Sequence, residues 1–314
     1  MPEFVSPQLA TLIEKPPEGD QWFHELKFDG YRMLCHLKNG KVTFWSRNGK
    51  DWTSKFPHIG KAIKELGVKT AILDGEVVAV DKSGRASFQK LQQSIGRTGD
   101  ATFTFHLFDL IYLEGFSIAK MTLRSRKELL AEVLATAGEK SPLRFSDHVE
   151  GNGEQFFKEA CKFGIEGVVS KLADSAYDST RNRNWLKSKC IKRQEFVIAG
   201  YTESDKNFPG FGALILGVYE KGKLIYVGRA GTGFTIKQRL ELRAKLDKLT
   251  RPSSPFVSLP KDPGLRKAVW AVPKLVGEVA FTEWTDDGVI RHPSFQGLRE
   301  DKKASEVVRE EPAP

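Results

Sequence analysis

Apolar and polar positions alternate through much of residues 23–47, a pattern of strands and turns. Asn39-Gly40 between two alternating runs, residues 31–38 and 41–47, marks a hairpin. Phe56, Ile59, Ile63 and Leu66 then fall at helical spacing, with Gly67 as a C-cap. Residues 70–81 form the next expected strand, interrupted by Gly75, and residues 103–113 another. Residues 122–137 predict a helix with Leu129, Leu130, Val133 and Leu134 on its apolar face and Gly138 behind it. Phe156, Phe157, Ala160 and Phe163 mark a further helix, running directly into a strand at residues 165–172.

The texture changes after Lys187, where a polar, basic stretch sets a domain boundary near Ile191. Residues 1–190 and 191–314 are therefore expected to form separate domains. Beyond the boundary come short strands at 195–201, 212–220, 223–229 and 275–285, with one helix at 235–249. Short strands with a single helix suit a small β-barrel such as an OB-fold. Residues 251–264, rich in Pro and Ser, read as a loop, and the charged tail after Asp301 is expected to fray.

Lys and Arg number 49 against 40 Asp and Glu, a net charge of +9 that favours polyanionic partners, nucleic acid first. Cys35, Cys161 and Cys190 are odd in number and far apart, which argues against a disulfide framework or zinc cluster and suits a reducing, cytosolic setting. None of the three needs a role. No long apolar run predicts a membrane span, and the opening residues do not read as a secretory signal.

The candidate chemistry starts at Lys27-Phe28-Asp29-Gly30-Tyr31-Arg32, where a strand runs into a turn. A lysine is a nucleophile only while partly neutral, and burial with nearby cations would push its pKa down. Arg32 could hold a phosphate with two parallel hydrogen bonds. Alone, the hexapeptide could equally be a surface lysine at a β-turn. Its company changes that. Downstream come Ser46-Arg47-Asn48-Gly49, Asp74-Gly75-Glu76, Phe105-His106-Leu107-Phe108-Asp109, Glu166-Gly167-Val168-Val169-Ser170-Lys171 and Trp185-Leu186-Lys187-Ser188-Lys189. Together they hold two carboxylates for a metal, cations for phosphates and an aromatic for a base, the parts of a site for a nucleoside triphosphate and a hard divalent cation. Gly75 and Gly167 beside the two acids favour a close-approach site over salt-bridged surface acids. Phe108 could pack in a core or stack on a base, and Asp29 could bind metal or form a turn. Lys171 and Lys192 read as solvated basic surface, and His292 as structural.

This series, in this order, resembles the covalent nucleotidyltransferase superfamily of DNA ligases, RNA ligases and capping enzymes, over about Phe4 to Glu310. Within it the chain most resembles the ligase part of the bacterial DNA ligase D family. That match rests on residues 6–12, 210–214, 227–234 and 291–302. The resemblance implies an α+β fold: an ATP-grasp-like adenylation domain of antiparallel sheets and flanking helices, followed by the OB-fold barrel. It also implies that Lys27 attacks the α-phosphorus of ATP to form lysyl-AMP. Glu25 would meet the adenine amino group through side chain or backbone, and Phe108 would stack on the base. Arg32 and Arg47 would hold phosphates, Glu76 would touch the ribose or a metal, and Glu166 would ligate the metal, Mg²⁺ or Mn²⁺. Lys187 and Lys189 would grip the α-phosphate. Arg291, Arg299, Asp301 and Lys302 would orient the pyrophosphate.

With only 26 residues ahead of Lys27, ATP rather than NAD is the expected substrate. The expected partner is nicked or broken double-stranded DNA, with the end-binding protein Ku as helper, for a cytoplasmic, nucleoid-associated monomer. An RNA ligase, a capping guanylyltransferase and a non-catalytic nucleic-acid-binding module are the alternatives.

Overall fold

A computed structural model of the chain describes residues 1–80, 102–138, 140–204, 209–311 and 313. They divide into two units, Met1–Cys190 with Glu311–Pro314, and Ile191–Glu310. Glu311 and Ala313 group with the first unit.

The first unit runs β1 (Leu9–Leu12), β2 (Trp22–Leu26), β3 (Tyr31–Lys38), β4 (Lys41–Ser46), α1 (Pro57–Lys64), β5 (Thr70–Val80), β6 (Thr102–Leu113), β7 (Phe116–Ser117), α2 (Leu123–Ala135), β8 (Leu143–Phe145), β9 (Val149–Glu150), α3 (Gly153–Lys162), β10 (Gly167–Leu172) and β11 (Arg181–Lys189). One sheet has the order β1-β11-β10-β2-β9, the other β4-β3-β5-β6-β7 with β8 beside β6. The pleat sorts their faces. On β3, Tyr31, Met33, Cys35 and Leu37 join the main core, which also takes Ile59 and Ile63 of α1 and Leu130, Val133 and Leu134 of α2. Leu34, Ile72 and Ile111 point the other way and meet Tyr177 and Trp185 in a second, smaller core. The two sheets therefore face each other across that second core.

Helix ends follow local chemistry. Pro57 opens α1, and the Thr122 hydroxyl caps α2 by accepting from the Ser125 amide. Gly75 does not interrupt β5: the strand runs through it with a register shift, and Asp81, expected in the same strand, lies outside the described residues. Asn39 and Gly40 take the positive φ that the hairpin turn requires.

The second unit holds β12 (Lys192–Thr202), β13 (Leu214–Glu220), β14 (Lys223–Ala230), α4 (Ile236–Asp247), β15 (Thr250–Arg251), β16 (Ala268–Phe281) and β17 (Ser294–Leu298). Pairing runs β14-β13-β12-β16-β15, and β17 also pairs with β16. A parallel bridge, Thr232 to Ser294, brings the stretch after β14 beside the start of β17, so the contacts close into a ring. Phe196, Ile198, Leu216, Leu242 and Phe295 share its core. β16 begins earlier than its expected start at residue 275. Pro273, which should end a ladder, falls where the register shifts between Leu275 opposite Ile198 and Trp270 opposite Gly200.

Two expectations are corrected here. The tail does not fray: Val307 is fully buried, its carbonyl accepts from the Tyr219 amide, and the Ala313 amide donates to Leu12. A short Val307-Val308 pair among charges hid that anchor. Cys161 and Cys190 form a disulfide, leaving only Cys35 as a free, buried thiol. The antiparallel return from β10 to β11 brings the end of β11 back to the end of α3, a juxtaposition that sequence spacing conceals.

Burial lowers the pKa of His36 to about 4; at His106, burial with help from Arg144 does the same. The unfolded chain takes up these protons first as pH falls below about 6.5, so stability is fully present above that pH and lost down to about 4. Thermal melts from pH 7.5 to 4.5 should show Tm falling below pH 6.5. His36→Phe should flatten the fall, and an unchanged slope would contradict the assignment.

Candidate active site

The face of the first sheet that meets the second is set by register. Glu25 pairs with Val169 and Phe23 with Lys171, while Gly167, Val169 and Lys171 lie opposite Lys189, Lys187 and Trp185. The Lys27 amide continues the ladder by donating to the Gly167 carbonyl at 2.9 Å. Glu25, Lys27, Lys171, Trp185, Lys187 and Lys189 therefore share one face. His24 and Ser170 lie on the other, with Nδ1 and Oγ 2.8 Å apart. On the facing sheet Arg32 is opposite Glu76, and Glu76 is opposite His106. Phe108 meets Trp185 edge-on at 5.9 Å, which joins the two faces.

Lys27 Nζ lies 2.6 Å from a Glu166 carboxylate oxygen, with the lysine side chain 23% exposed. Burial works to lower its pKa, but Glu166, then Glu76 and Asp29, outweigh it, and the ammonium stands above its ordinary value. This reverses the expectation of a lysine made partly neutral by burial and nearby cations. The charges that face Lys27 are acids.

The Glu25 side chain is engaged by the protein. Its carboxylate is buried and accepts from Lys127 Nζ at 2.9 Å, Lys171 Nζ at 2.9 Å and the Ser146 hydroxyl at 3.0 Å. Burial works to raise this carboxyl, the two lysines overcome it, and it stays below the usual carboxylate range. Its side chain is thus committed to the protein, and its backbone pairs with Val169 in the ladder. Lys171 is not solvated surface but 2% exposed, with Nζ 4.2 Å from the centre of the Phe108 ring and 4.3 Å from that of Trp185. Burial lowers its pKa to about 8 despite Glu25. The alternation 167-169-171 opposite Lys27 and Glu25 could have flagged it; the sequence alone lacks the register.

Arg32 is likewise engaged by the protein. Nε and Nη2 fork onto Asp74 at 2.9 and 2.6 Å, and Nη1 donates to the Gln8 carbonyl at 2.6 Å. The Tyr177 hydroxyl donates to the same carboxylate at 2.6 Å. The guanidinium lies 5.1 Å from the Phe108 ring centre, so it reaches the aromatic floor while held by Asp74. Arg47 sits in the turn after β4, where the Gly49 amide donates to the Ser46 carbonyl. The close approaches at Gly75 and Gly167 are made by the protein itself. A Cβ on Gly75 would come 2.6 Å from the His106 carbonyl oxygen, and one on Gly167 2.1 Å from that of Ser188. These glycines seat β5, which carries Glu76, and the start of β10, directly after Glu166.

In the second unit, Arg299 forks onto Asp301 at 2.9 and 2.8 Å and reaches Glu278 at 3.1 Å. Lys302 Nζ donates to Glu195 at 2.9 Å. Glu195 and Glu278 are direct neighbours across β12 and β16, so Arg299, Asp301 and Lys302 form one ionic cluster. Arg291 stands apart, 62% exposed and paired with Glu283.

Facing, largely antiparallel sheets around a lysine, with few helices, match the mixed α+β nucleotidyltransferase-like fold of solved DNA ligases. The chain belongs to the ATP-dependent DNA ligase family: residues 7–189 match the ATP dependent DNA ligase domain, and residues 207–302 the ATP dependent DNA ligase C terminal region. It is 42% identical over 316 aligned positions to the multifunctional non-homologous end joining protein LigD of Pseudomonas aeruginosa, covering 100% of this chain and 37% of that protein. It is 38% identical to the corresponding DNA repair protein LigD of Mycobacterium tuberculosis, over 98% of this chain and 40% of that one. The chain thus spans well under half the length of these relatives. Two solved structures share 37% identity with it over 98% of both chains: a mycobacterial DNA ligase D complexed with ATP and MES, at a TM-score of 0.73, and the ligase domain of M. tuberculosis LigD, at 0.54.

Proposed function

We propose that this chain seals breaks between a 5′-phosphate and a 3′-OH in DNA, using ATP and a lysyl-AMP at Lys27. The observation that carries the reading is the Lys27–Glu166 pair, on a sheet face shared with Lys187 and Lys189 and floored by Phe108 and Trp185. The Lys27 ammonium first gives up one proton; the neutral Nζ then attacks the α-phosphorus, the bond to the pyrophosphate oxygen breaks, and a second proton leaves the nitrogen, both passing to solvent by way of Glu166, which lies at hydrogen-bond distance. AMP then passes to the 5′-phosphate of the break, and the 3′-OH displaces AMP to close the strand. Charge spreads over phosphate oxygens in each step, so cations rather than a strong base carry the catalysis. Lys187 and Lys189 are assigned to the α-phosphate, Phe108 and the Glu25 backbone to the adenine, and Arg32 and Arg47 to phosphates or sugar. Lys171 is added to the wall of the base pocket.

Among the described residues no three acidic, His or Cys side chains form a ready metal cage. The acids whose field raises the Lys27 pKa nonetheless fit a hard divalent cation, which commonly uses one or two carboxylates plus substrate oxygens. Bound Mg²⁺ or Mn²⁺, held by Glu76 and Glu166, would bring the positive charge that favours a neutral Lys27 and offsets the phosphates.

We read the second unit as an OB-type barrel, on the strength of its ring of strand contacts with one helix between β14 and β16. Its Arg299, Asp301 and Lys302 are assigned to the pyrophosphate, with Arg291 on the rim. The end-joining role of the similar LigD proteins supports a place in bacterial double-strand break repair; to this we add our own reading of a cytoplasmic, nucleoid-associated monomer with Ku as helper.

The test is sealing of nicked and broken DNA, and of RNA strands, with Mg²⁺ or Mn²⁺ across a salt series, with and without a bacterial Ku. For a grip built on 6–10 phosphate contacts, affinity should fall about 10³-fold or more between about 50 and 200 mM salt. Ku should restore sealing at broken ends through effective concentration. Salt-insensitive sealing would contradict the phosphate-based grip, and sealing of RNA strands alone would overturn the DNA reading.

A further inference from the structure

The disulfide takes no part in the chemistry above, yet it sits against the residues that do. Cys161 lies in the last turn of α3, and Cys190 directly follows Lys189 at the end of β11. The four residues 163–166 separate α3 from β10. At one end the turn hangs from the helix, with the Gly164 amide donating to Cys161 and the Ile165 amide to Ala160, both at 3.0 Å. At the other end the Glu166 carbonyl accepts from the Cys190 amide at 2.9 Å. The disulfide therefore closes a small ring around the turn that delivers Glu166 to Lys27, and it anchors the strand end that carries Lys187 and Lys189. Both cysteines are only partly buried, and neighbouring Phe163 is 75% exposed, so a thiol can reach the bridge. Cys35 is fully buried, and burial pushes its thiol far above the ordinary range. Exchange is thereby confined to the one pair.

We propose that Cys161–Cys190 is a thiol–disulfide exchange site that sets the order of the Glu166 turn and, through it, the rate of adenylyl transfer to Lys27. The partner is a dithiol, protein or small molecule. Its thiolate attacks one cystine sulfur to give a mixed disulfide, and its second thiol resolves this. Two electrons and two protons pass to Cys161 and Cys190, and the dithiol leaves as its disulfide. Reoxidation runs the same exchange backwards with a small-molecule disulfide such as oxidised glutathione. In a thiol-rich compartment a reachable bridge of this kind is reversible rather than a permanent staple. Reduction removes the covalent side of the ring and leaves the turn without that tether, with the backbone hydrogen bonds at its two ends and the Glu166–Lys27 ion pair still in place. The consequence for adenylylation rests on the ligase reading; the tether does not.

The experiment uses the full chain, either oxidised with glutathione disulfide and desalted or reduced with dithiothreitol. In denaturant the oxidised chain should titrate one thiol, Cys35, and the reduced chain three. Hydrogen–deuterium exchange should rise on reduction at residues 163–167 and 187–190. Single-turnover labelling of Lys27 by ATP should slow about tenfold, within the cost expected of a small misplacement. The double variant Cys161→Ser/Cys190→Ser should match the reduced chain and ignore dithiothreitol. Three thiols in the glutathione-treated chain, or exchange and labelling rates that are equal in the two states, would overturn the proposal. Redox-dependent exchange with no labelling in either state would bear out the tether and count against the ligase reading.

Discussion

Replacing Lys27 by Ala is expected to abolish both labelling of the chain by ATP and ATP-driven sealing, by ~10⁴-fold or more, as loss of a covalent nucleophile does. The neighbouring side chains do not offer a substitute. Lys171 is locked onto Glu25. Lys187 and Lys189 stand on β11, across β10 from the strand that leads to Lys27. The fold should survive, because the Lys27 side chain is partly exposed and its removal leaves no unpaired buried cation. Glu166 is then left without this partner, so circular dichroism and a melt should accompany the assay. A pre-adenylylated nick, which bypasses the nucleophile, should still be sealed by Lys27→Ala. Labelling that persists in this variant would remove the assignment.

Lys302→Ala should separate the steps. Lys302 belongs to the cluster in which Glu195, Glu278 and Asp301 neutralise Arg299 and Lys302. Pyrophosphate leaves only in the first step, so a cation that steadies it should matter there and little afterwards. We expect self-adenylylation to fall by about 10²-fold, the usual cost of one charge-stabilising donor, while sealing of a pre-adenylylated nick is kept in part. Equal loss of both activities, measured side by side on the same preparation, would contradict this division of labour.

Much of this was legible because it is local. The hairpin at Asn39-Gly40 follows from turn chemistry. The alternation in β3 sorts core from cleft. The order of polar residues around Lys27, Glu76, Glu166 and Lys187 marks the cleft before any fold is known. What stayed hidden depends on partners far away in sequence. Lys171 looked solvated because a lysine's burial depends on an acid to meet it, and Glu25 is 146 residues away. The fork of Arg32 onto Asp74 was hidden because bidentate geometry serves a carboxylate as well as a phosphate. The elevated Lys27 pKa follows from three acids, two of them brought in by other strands. The disulfide and the Val307 anchor likewise come from chain returns that no local pattern encodes.

The most direct measurement is a peptide map of the chain after incubation with ATP and Mg²⁺ or Mn²⁺, compared with a parallel incubation with GTP. The account predicts that one AMP is added, from ATP only, on the peptide containing Lys27, and that it is lost on addition of nicked DNA as the strand is sealed. AMP on any other lysine, GMP on Lys27, or no nucleotide on the chain would contradict it.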